Sequence, residues 1–423
     1  MTEASGWPAF DRAPGGAGGE VTGEHLGRGW RAARARSAVT HLDAAGAARP
    51  SAATVAAQVE FLRAEAELGA YVAELAVADV LAAARSTLAG LLGPDLAGDD
   101  VVFHSSASGA FAALLAAWPL PERARVAMVP SEYGSNRLVL EARAALAGVD
   151  LLDLPVDEQG VVDLAVLDRA GISSAGAGRP LGLDEVDLVV FPHVPSQRGF
   201  VQPAAGIGRR CAAAGVPLVV DVAQSLGQVD TTGIQASAYV GTSRKWLCGP
   251  RGVGFVALRA GVAERLGVAV PSLYSARSDQ GGPPLPLPGA ARISVGEASV
   301  VARVGLAHAL TELVESGPRL VFDRIAALAA HGRRVLDGAG GWRVRDRPDS
   351  ASGIITLRPP EGVDPVAVRD RLYRDEQVLT SAIPPTRSRD LRGPLLRASA
   401  HAYNEPGDLD RLARALAADT GRA

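Results

Sequence analysis

A chain of 423 residues is too long for one ordinary core, so two domains are expected. A net charge of −3, with no basic run interleaved with aromatics, argues against nucleic-acid binding. Two cysteines make no disulfide framework, seven scattered histidines contain no HExxH, and no apolar run approaches the roughly 20 residues that span a bilayer, which leaves a metal-free cytoplasmic enzyme as the expected class. The sequence opens Met-Thr-Glu-Ala-Ser without a basic or apolar leader, which argues against secretion. Residues 1 to 28, rich in Gly, Ala, Pro and Glu, read as a mobile tail. Residues 29 to 50 are expected as an N-terminal segment packing near the active site. Helical spacing from Ala52 to Leu92 predicts two helices. Strand-like runs then alternate with helices: Val101-Phe103, a helix near Gly109-Trp118, Arg125-Val129, a helix over Asn136-Ala147, Leu151-Leu154, Leu188-Phe191, a helix over Ala204-Ala214, and Leu218-Val220. That alternation predicts a mostly parallel sheet covered on both faces, with Gly254-Leu258 as its antiparallel edge. A Pro/Gly/Ser-rich loop over 271 to 290 is long enough to suggest a functional or interface role. A long helix near Glu297-Ser316, and beyond it strands (Gly353-Leu357, Leu395-Ala398) alternating with helices (Pro365-Asp375, Pro406-Ala418), predict a smaller α+β C-terminal domain. The expected organisation is a large domain over 51 to 290 and a small one over 291 to 423.

Of the 43 basic side chains, 42 are arginine and one is lysine, Lys245. Arginine keeps its proton in proteins, whereas a desolvated lysine becomes a neutral amine able to attack a carbonyl. A lone lysine in an arginine-saturated chain suggests a position where an amine is required, as in a Schiff base to pyridoxal 5′-phosphate; a surface lysine retained by chance is the plain alternative. Asp221, in Asp221-Val222-Ala223-Gln224, follows an apolar strand, where open α/β sheets bind ligands. It reads either as the partner of a pyridinium nitrogen, with Gln224 near the phenolic oxygen, or as a helix N-cap. His104-Ser105-Ser106-Ala107-Ser108-Gly109 reads as a phosphate cradle at a helix start or as a capping turn. Tyr133 is a candidate to stack on a cofactor ring or an ordinary boundary tyrosine. Arg397, flanked by apolar residues, needs a carboxylate, from a substrate or from the chain itself.

Together these segments resemble the class V aminotransferase family of fold-type I pyridoxal-phosphate enzymes. The resemblance covers nearly the whole chain from about Trp30. It is carried by Asp221-x-Ala223-Gln224, then a hydroxyl-bearing turn ending in Lys245-Trp246, then Gly249-Pro250-Arg251-Gly252-Val253-Gly254, in that order. It implies Lys245 as the Schiff-base lysine, Asp221 at the pyridine nitrogen, Gln224 near the phenolic oxygen and Tyr133 over the ring. It places Ala107, Ser108, Thr242 and Arg244 near the phosphate and Arg397 on the substrate carboxylate. Ser196 stands where asparagine is usual. Gly296 and Glu297 lie in the segment that reaches the partner subunit's phosphate, with glutamate in place of the usual threonine. A homodimer with shared active sites is implied, acting on a small amino-acid substrate.

No cysteine follows Cys248, so persulfide chemistry is not expected. Further segments, Trp30-Arg34, His41-Asp43, Glu65-Val72 and Val301-Gly305 among them, resemble carbon–sulfur lyases of the family that act on a sulfoxide. That implies β-elimination, with Trp30, Tyr71, Trp246, Trp342 and Tyr274 as the candidate aromatic faces for a substrate cation and Arg34, Arg49 and Arg303 as candidate clamps for a second carboxylate. An epimerase, an aminotransferase or a lyase of other cysteine conjugates stays open beside it.

Overall fold

The computed structural model describes residues 23–173, 178–268, 270–278 and 281–419. Residues 1–22, most of the tail expected over 1 to 28, lie outside the described residues; a helix, Gly23–Ala32, already occupies the rest of that stretch.

Seven strands build the main sheet: β1 (Val101–His104), β2 (Arg125–Met128), β3 (Asp150–Asp153), β4 (Leu188–Pro192), β5 (Leu218–Asp221), β6 (Ala238–Thr242) and β7 (Gly254–Leu258). Their order is β1-β7-β6-β5-β4-β2-β3, and every pairing is parallel except the two made by β7. The sheet is therefore mostly parallel, as the alternation predicts. Strands β4 to β7 are buried at every position, the pattern of strands covered by helices on both faces. One expectation is corrected: β7 is antiparallel but does not lie at the edge. It is inserted between β1 and β6, pairing antiparallel with both, and its unbroken apolar run reflects burial of both its faces.

One further departure has a local cause. Residues 52 to 92 form three helices, Ala52–Leu68, Ala70–Ala76 and Ala78–Leu92, not two. Gly69 at φ +83° breaks the first junction, and the non-helical backbone of Val77 breaks the second. Between Asp221 and Lys245 the chain makes turns and strand β6, with no helix. Among the described residues no single helix is long and apolar enough to cross a membrane.

The C-terminal part carries an antiparallel sheet in the order Arg343–Val344, Ile354–Arg358, Leu395–Ser399, Ser381–Ile383. Helices Pro318–Leu336, Pro365–Glu376 and Pro406–Asp419 accompany it, and Leu328, Leu336, Ile355, Leu372, Leu396 and Leu412 share its core. The first of these helices has no counterpart among the expected elements.

The chain near residues 40–49 ties the two sheets together. Thr40–His41 pairs in parallel with Val378–Leu379, and Ser399 N donates to Leu42 O at 2.7 Å. Ala48 N donates to the carbonyl of Arg244, next to the lone lysine, at 2.8 Å. Beneath the Lys245-Trp246 turn, His401 stacks against Trp30, Trp246 and Tyr403 at 5.1, 5.8 and 5.2 Å between ring centroids.

Candidate active site

Parallel strands deliver their carboxyl ends to one edge, so residues that follow β1, β2, β4, β5 and β6 converge although they are far apart in sequence. Register sharpens this. His104 is opposite Gly254 and Gly254 opposite Thr242, in one row across β1, β7 and β6. Asp221 is opposite Val240 and Pro192 on the next strands. The turns after His104, Met128, Asp221 and Thr242 thus form one site.

Asp221 ends β5 and is buried. Its Oδ1 accepts from Ala223 N at 2.8 Å and its Oδ2 from Asn136 Nδ2 at 2.9 Å. The carboxylate plane is fixed by two donors while each oxygen keeps a lone pair for a further N–H. That donor set suits a protonated ring nitrogen.

Lys245 lies in a tight turn after β6. Cys248 N donates to Lys245 O and Gly249 N to Ser243 O, both at 3.0 Å, and Cys248 adopts φ +55° to close it. Trp246 anchors the turn: it is fully buried and donates Nε1 to Gln224 Oε1 at 2.8 Å. The Lys245 amine sits 5.8 Å from the centroid of the Tyr133 ring. Burial pushes its pKa down to about 7; Asp221 opposes the shift, and Arg244, Arg397 and Arg387 add to it. An amine held there is largely free to lose its proton near neutrality, the property a nucleophilic or basic lysine requires.

At the β1 end, helix Ala107–Ala117 opens with its backbone N–H groups facing the same edge, capped by Ser106 Oγ, which accepts from Gly109 N at 3.1 Å. Gly254 is what lets this loop close down. A β-carbon there would lie 2.1 Å from Ser106 C and 2.4 Å from Ala107 N. Thr242 and Arg244 complete this corner, with Arg244 Nη1 donating to Thr242 Oγ1 at 3.2 Å. Helix N–H groups and a guanidinium make an anion cradle, while the Thr242 hydroxyl donates to Val253 O at 3.0 Å. Phosphate donors at one end, a carboxylate at the other, an aromatic face and a desolvated amine between them match the chemistry of pyridoxal phosphate.

Arg397, from strand Leu395–Ser399, is buried and points at both sheets. Its Nη1 donates to Ser196 O at 2.7 Å; its Nη2 donates to Asp43 Oδ1 at 2.9 Å and Ser381 Oγ at 3.2 Å. Of the two alternatives for its carboxylate, the chain supplies one, Asp43, and the buried Nε has no partner among the described residues. Ser196 contributes its carbonyl here, while its hydroxyl donates to Gln197 Oε1 at 3.1 Å. Gln224 is committed at both ends, since its Nε2 also donates to Ala45 O at 3.0 Å, which leaves one amide hydrogen for a ligand.

Other expected site residues lie elsewhere. Tyr71 is 75% exposed on helix Ala70–Ala76. Arg303 packs over Phe103 at 5.6 Å and lines a cavity with Glu74, Tyr274, Gly296 and Glu297, apart from the lysine. Trp30 is buried, stacked on His401 and donating Nε1 to Ser316 Oγ at 2.9 Å. Sequence reading missed Asp43, Ser381, Glu132 and Asn136. Glu132 and Asn136 carried a signal as polar members of the turn that bears Tyr133, and Asp43 as the end of the His41-Asp43 segment, though nothing pointed to its meeting Arg397 across 354 residues.

This fold and this edge define a fold-type I pyridoxal-phosphate enzyme. Comparison with known proteins agrees: the profile of the family described as "Aminotransferase class-V" matches residues 40–412, and the chain belongs to that family. It is 40% identical over 400 residues to a protein of Mycobacterium tuberculosis named "Probable hercynylcysteine sulfoxide lyase", covering 94% of each chain. It is 28% identical over 351 residues to the isopenicillin N epimerase of Streptomyces clavuligerus, covering 80% of this chain and 84% of the relative. Among solved structures, the cysteine desulfurase CsdA of Escherichia coli superposes with a TM-score of 0.81 at 18% identity, covering 94% of this chain and 98% of the other.

Proposed function

We propose that the chain is a carbon–sulfur β-lyase that cleaves hercynylcysteine S-oxide to a sulfenic acid, pyruvate and ammonia, the sulfenic acid then being reduced to ergothioneine by a two-electron reductant such as a thiol. The reading is carried by the buried Lys245 amine, 5.8 Å from the centroid of the Tyr133 ring, with its pKa pushed down to about 7. The substrate rests on the likeness to the M. tuberculosis protein. The state of the thiols supports elimination over sulfur transfer. Cys211 and Cys248 are both buried, and burial pushes their pKa values up to about 12 and about 11, so neither offers a thiolate.

Bound at this edge, pyridoxal phosphate supplies an electron sink for the pair left at Cα. Lys245 holds the cofactor and, once released as a neutral amine, takes the Cα proton. Asp221 keeps the ring nitrogen protonated, Tyr133 covers the ring, and the helix start at Ala107 and Ser108 holds the phosphate with Thr242 and Arg244. Arg397 orients the α-carboxylate, which exchanges with Asp43 for the guanidinium. The pair left at Cα closes a Cα=Cβ double bond as the Cβ–S bond breaks, and sulfur leaves with its bonding pair as a sulfenate whose charge rests on oxygen. Water hydrolyses the released aminoacrylate to pyruvate and ammonia.

A homodimer belongs to this reading. Val55, Leu62, Tyr71, Val72 and Leu75 are between 47% and 75% exposed on helices Ala52–Leu68 and Ala70–Ala76, an apolar face that supports burial against a second copy. The Gly296-Glu297 cavity, far along the chain, would then serve the partner's site.

The deciding experiment is pyruvate release from hercynylcysteine S-oxide, followed with a coupled dehydrogenase, for the wild type and Lys245→Ala. Release that vanishes in the variant supports the lyase. Exchange of the Cα hydrogen with solvent, without pyruvate, would instead favour the epimerase reading suggested by the Streptomyces relative.

A further inference from the structure

Glu132 is fully buried directly beside the site, and nothing in the reaction above uses it. Its Oε1 accepts from Tyr133 N at 2.8 Å and from Asn136 Nδ2 at 3.1 Å, while Oε2 is buried without a partner among the described residues. The same Asn136 nitrogen donates to Asp221 Oδ2 at 2.9 Å. An amide nitrogen carries two hydrogens, and each is spent on one carboxyl group. Glu132 therefore dictates which way the Asn136 amide faces: with a carboxyl oxygen on each side, its NH₂ must point inward. Two carboxylates so close and so buried cannot both ionise. Asp221 already accepts two hydrogen bonds, from Ala223 N and Asn136 Nδ2. Burial, then the charge of Asp221, pushes the Glu132 pKa up to about 8, so Glu132 is mostly a neutral acid at pH 7.

We propose that Glu132 and Asn136 form a positioning pair that sets the Asp221 carboxylate for the ring nitrogen of the cofactor and ties that setting to Tyr133, the residue over the ring. Neither residue touches the reacting atoms. Asn136 holds one oxygen of Asp221 in place. Glu132 holds Asn136 and, through the same oxygen, the backbone of Tyr133, so the two faces of the cofactor pocket move as one unit. A neutral Glu132 performs this as an acceptor without adding a second negative charge next to the ring. The inference rests on Asp221 being the partner of the ring nitrogen.

The test uses full-length protein loaded with pyridoxal phosphate labelled with ¹⁵N at the ring nitrogen, whose chemical shift reports its protonation, together with cofactor affinity measured by titrating the apoprotein. Asn136→Ala and Glu132→Leu, the latter close to glutamate in volume but without an acceptor, are expected to move the ring-nitrogen resonance toward its unprotonated value. Each should weaken cofactor binding by about tenfold, the effect of losing one hydrogen bond to a charged group. Glu132→Gln keeps the acceptor and stays neutral, so it is expected to hold the wild-type resonance and affinity. Asp221→Asn separates the two levels of argument. If it moves the resonance while Asn136→Ala and Glu132→Leu leave it unmoved, the positioning pair is refuted and the role of Asp221 stands. If Asp221→Asn itself is silent, the role of Asp221 falls and takes the pair with it. A shift in Glu132→Gln as large as in Glu132→Leu would refute the neutral acid. Where Asn136→Ala does not fold, judged by apoprotein melting, the Leu and Gln variants of Glu132 carry the test between them.

Discussion

Replacing Gly254 by alanine tests whether the sheet register builds the phosphate cradle. Gly254 is the first residue of β7, with His104 of β1 opposite on one side and Thr242 of β6 on the other. Its added methyl would lie 2.1 Å from Ser106 C and 2.4 Å from Ala107 N, both backbone atoms, so no side-chain rotation relieves the overlap. The Ser106–Ala107 peptide must retreat by about 1 Å to restore ordinary contact, in an interior that packs like a crystal. Overpacking of this kind costs roughly 1 to 3 kcal/mol of stability. Moving the helix N-terminus off the phosphate removes hydrogen bonds to a charged group at about 1.5 to 3 kcal/mol each, so cofactor affinity should fall roughly ten- to a hundred-fold. Gly90→Ala is the control: it lies in helix Ala78–Leu92 with nothing within 4 Å of the new methyl, and should gain roughly 0.5 to 1 kcal/mol. Apoprotein melting and a pyridoxal-phosphate titration measure both quantities. A Gly254→Ala protein that binds cofactor as tightly as the wild type would refute the argument that this close approach shapes the cradle.

Further outcomes follow from the same geometry. Lys245→Arg should be as inactive in pyruvate release as Lys245→Ala, because a guanidinium neither loses its proton nor condenses with the cofactor; turnover in the arginine variant would overturn the amine requirement. Neither thiol should react with Ellman's reagent in the folded protein, and both should react in denaturant, given their burial; fast labelling of the native chain would contradict it. For pH, burial depresses His104 and His193 to about 4 and His401 to about 3, against about 6.5 when unfolded. Their contribution is complete above pH 6.5 and drains as pH falls toward 4, because the unfolded chain takes up protons that the buried rings refuse. Glu132 works in the opposite sense: its contribution is complete below pH 4.5 and is lost as pH rises through about 8. Urea midpoints of the apoprotein should therefore fall on acidification below pH 6.5, and Glu132→Gln should remove part of the alkaline loss; a midpoint flat from pH 6.5 to 4.5 would count against the buried neutral histidines.

The sequence by itself determined the α/β alternation, the mostly parallel sheet, the cofactor and the family. These are written in short range. Apolar strands and amphipathic helices alternate within tens of residues, and the lone lysine stands 24 residues after Asp221, which itself follows an apolar strand. The order of the strands was not written there, because an apolar run such as Gly254–Leu258 says only that both its faces are buried, not which strands lie beside it. Gly69 and Val77 were equally silent, since a helical pattern runs through both and only the backbone shows the breaks. Tertiary structure alone decided the partners of the charged groups. Asn136 reaches Asp221 across 85 residues because parallel strands bring their carboxyl ends to one edge, and Asp43 reaches Arg397 because the segment over 40–49 is tied to strand Leu395–Ser399. Pairings of that kind depend on distances in space, and a pattern of residue types along the chain does not contain them.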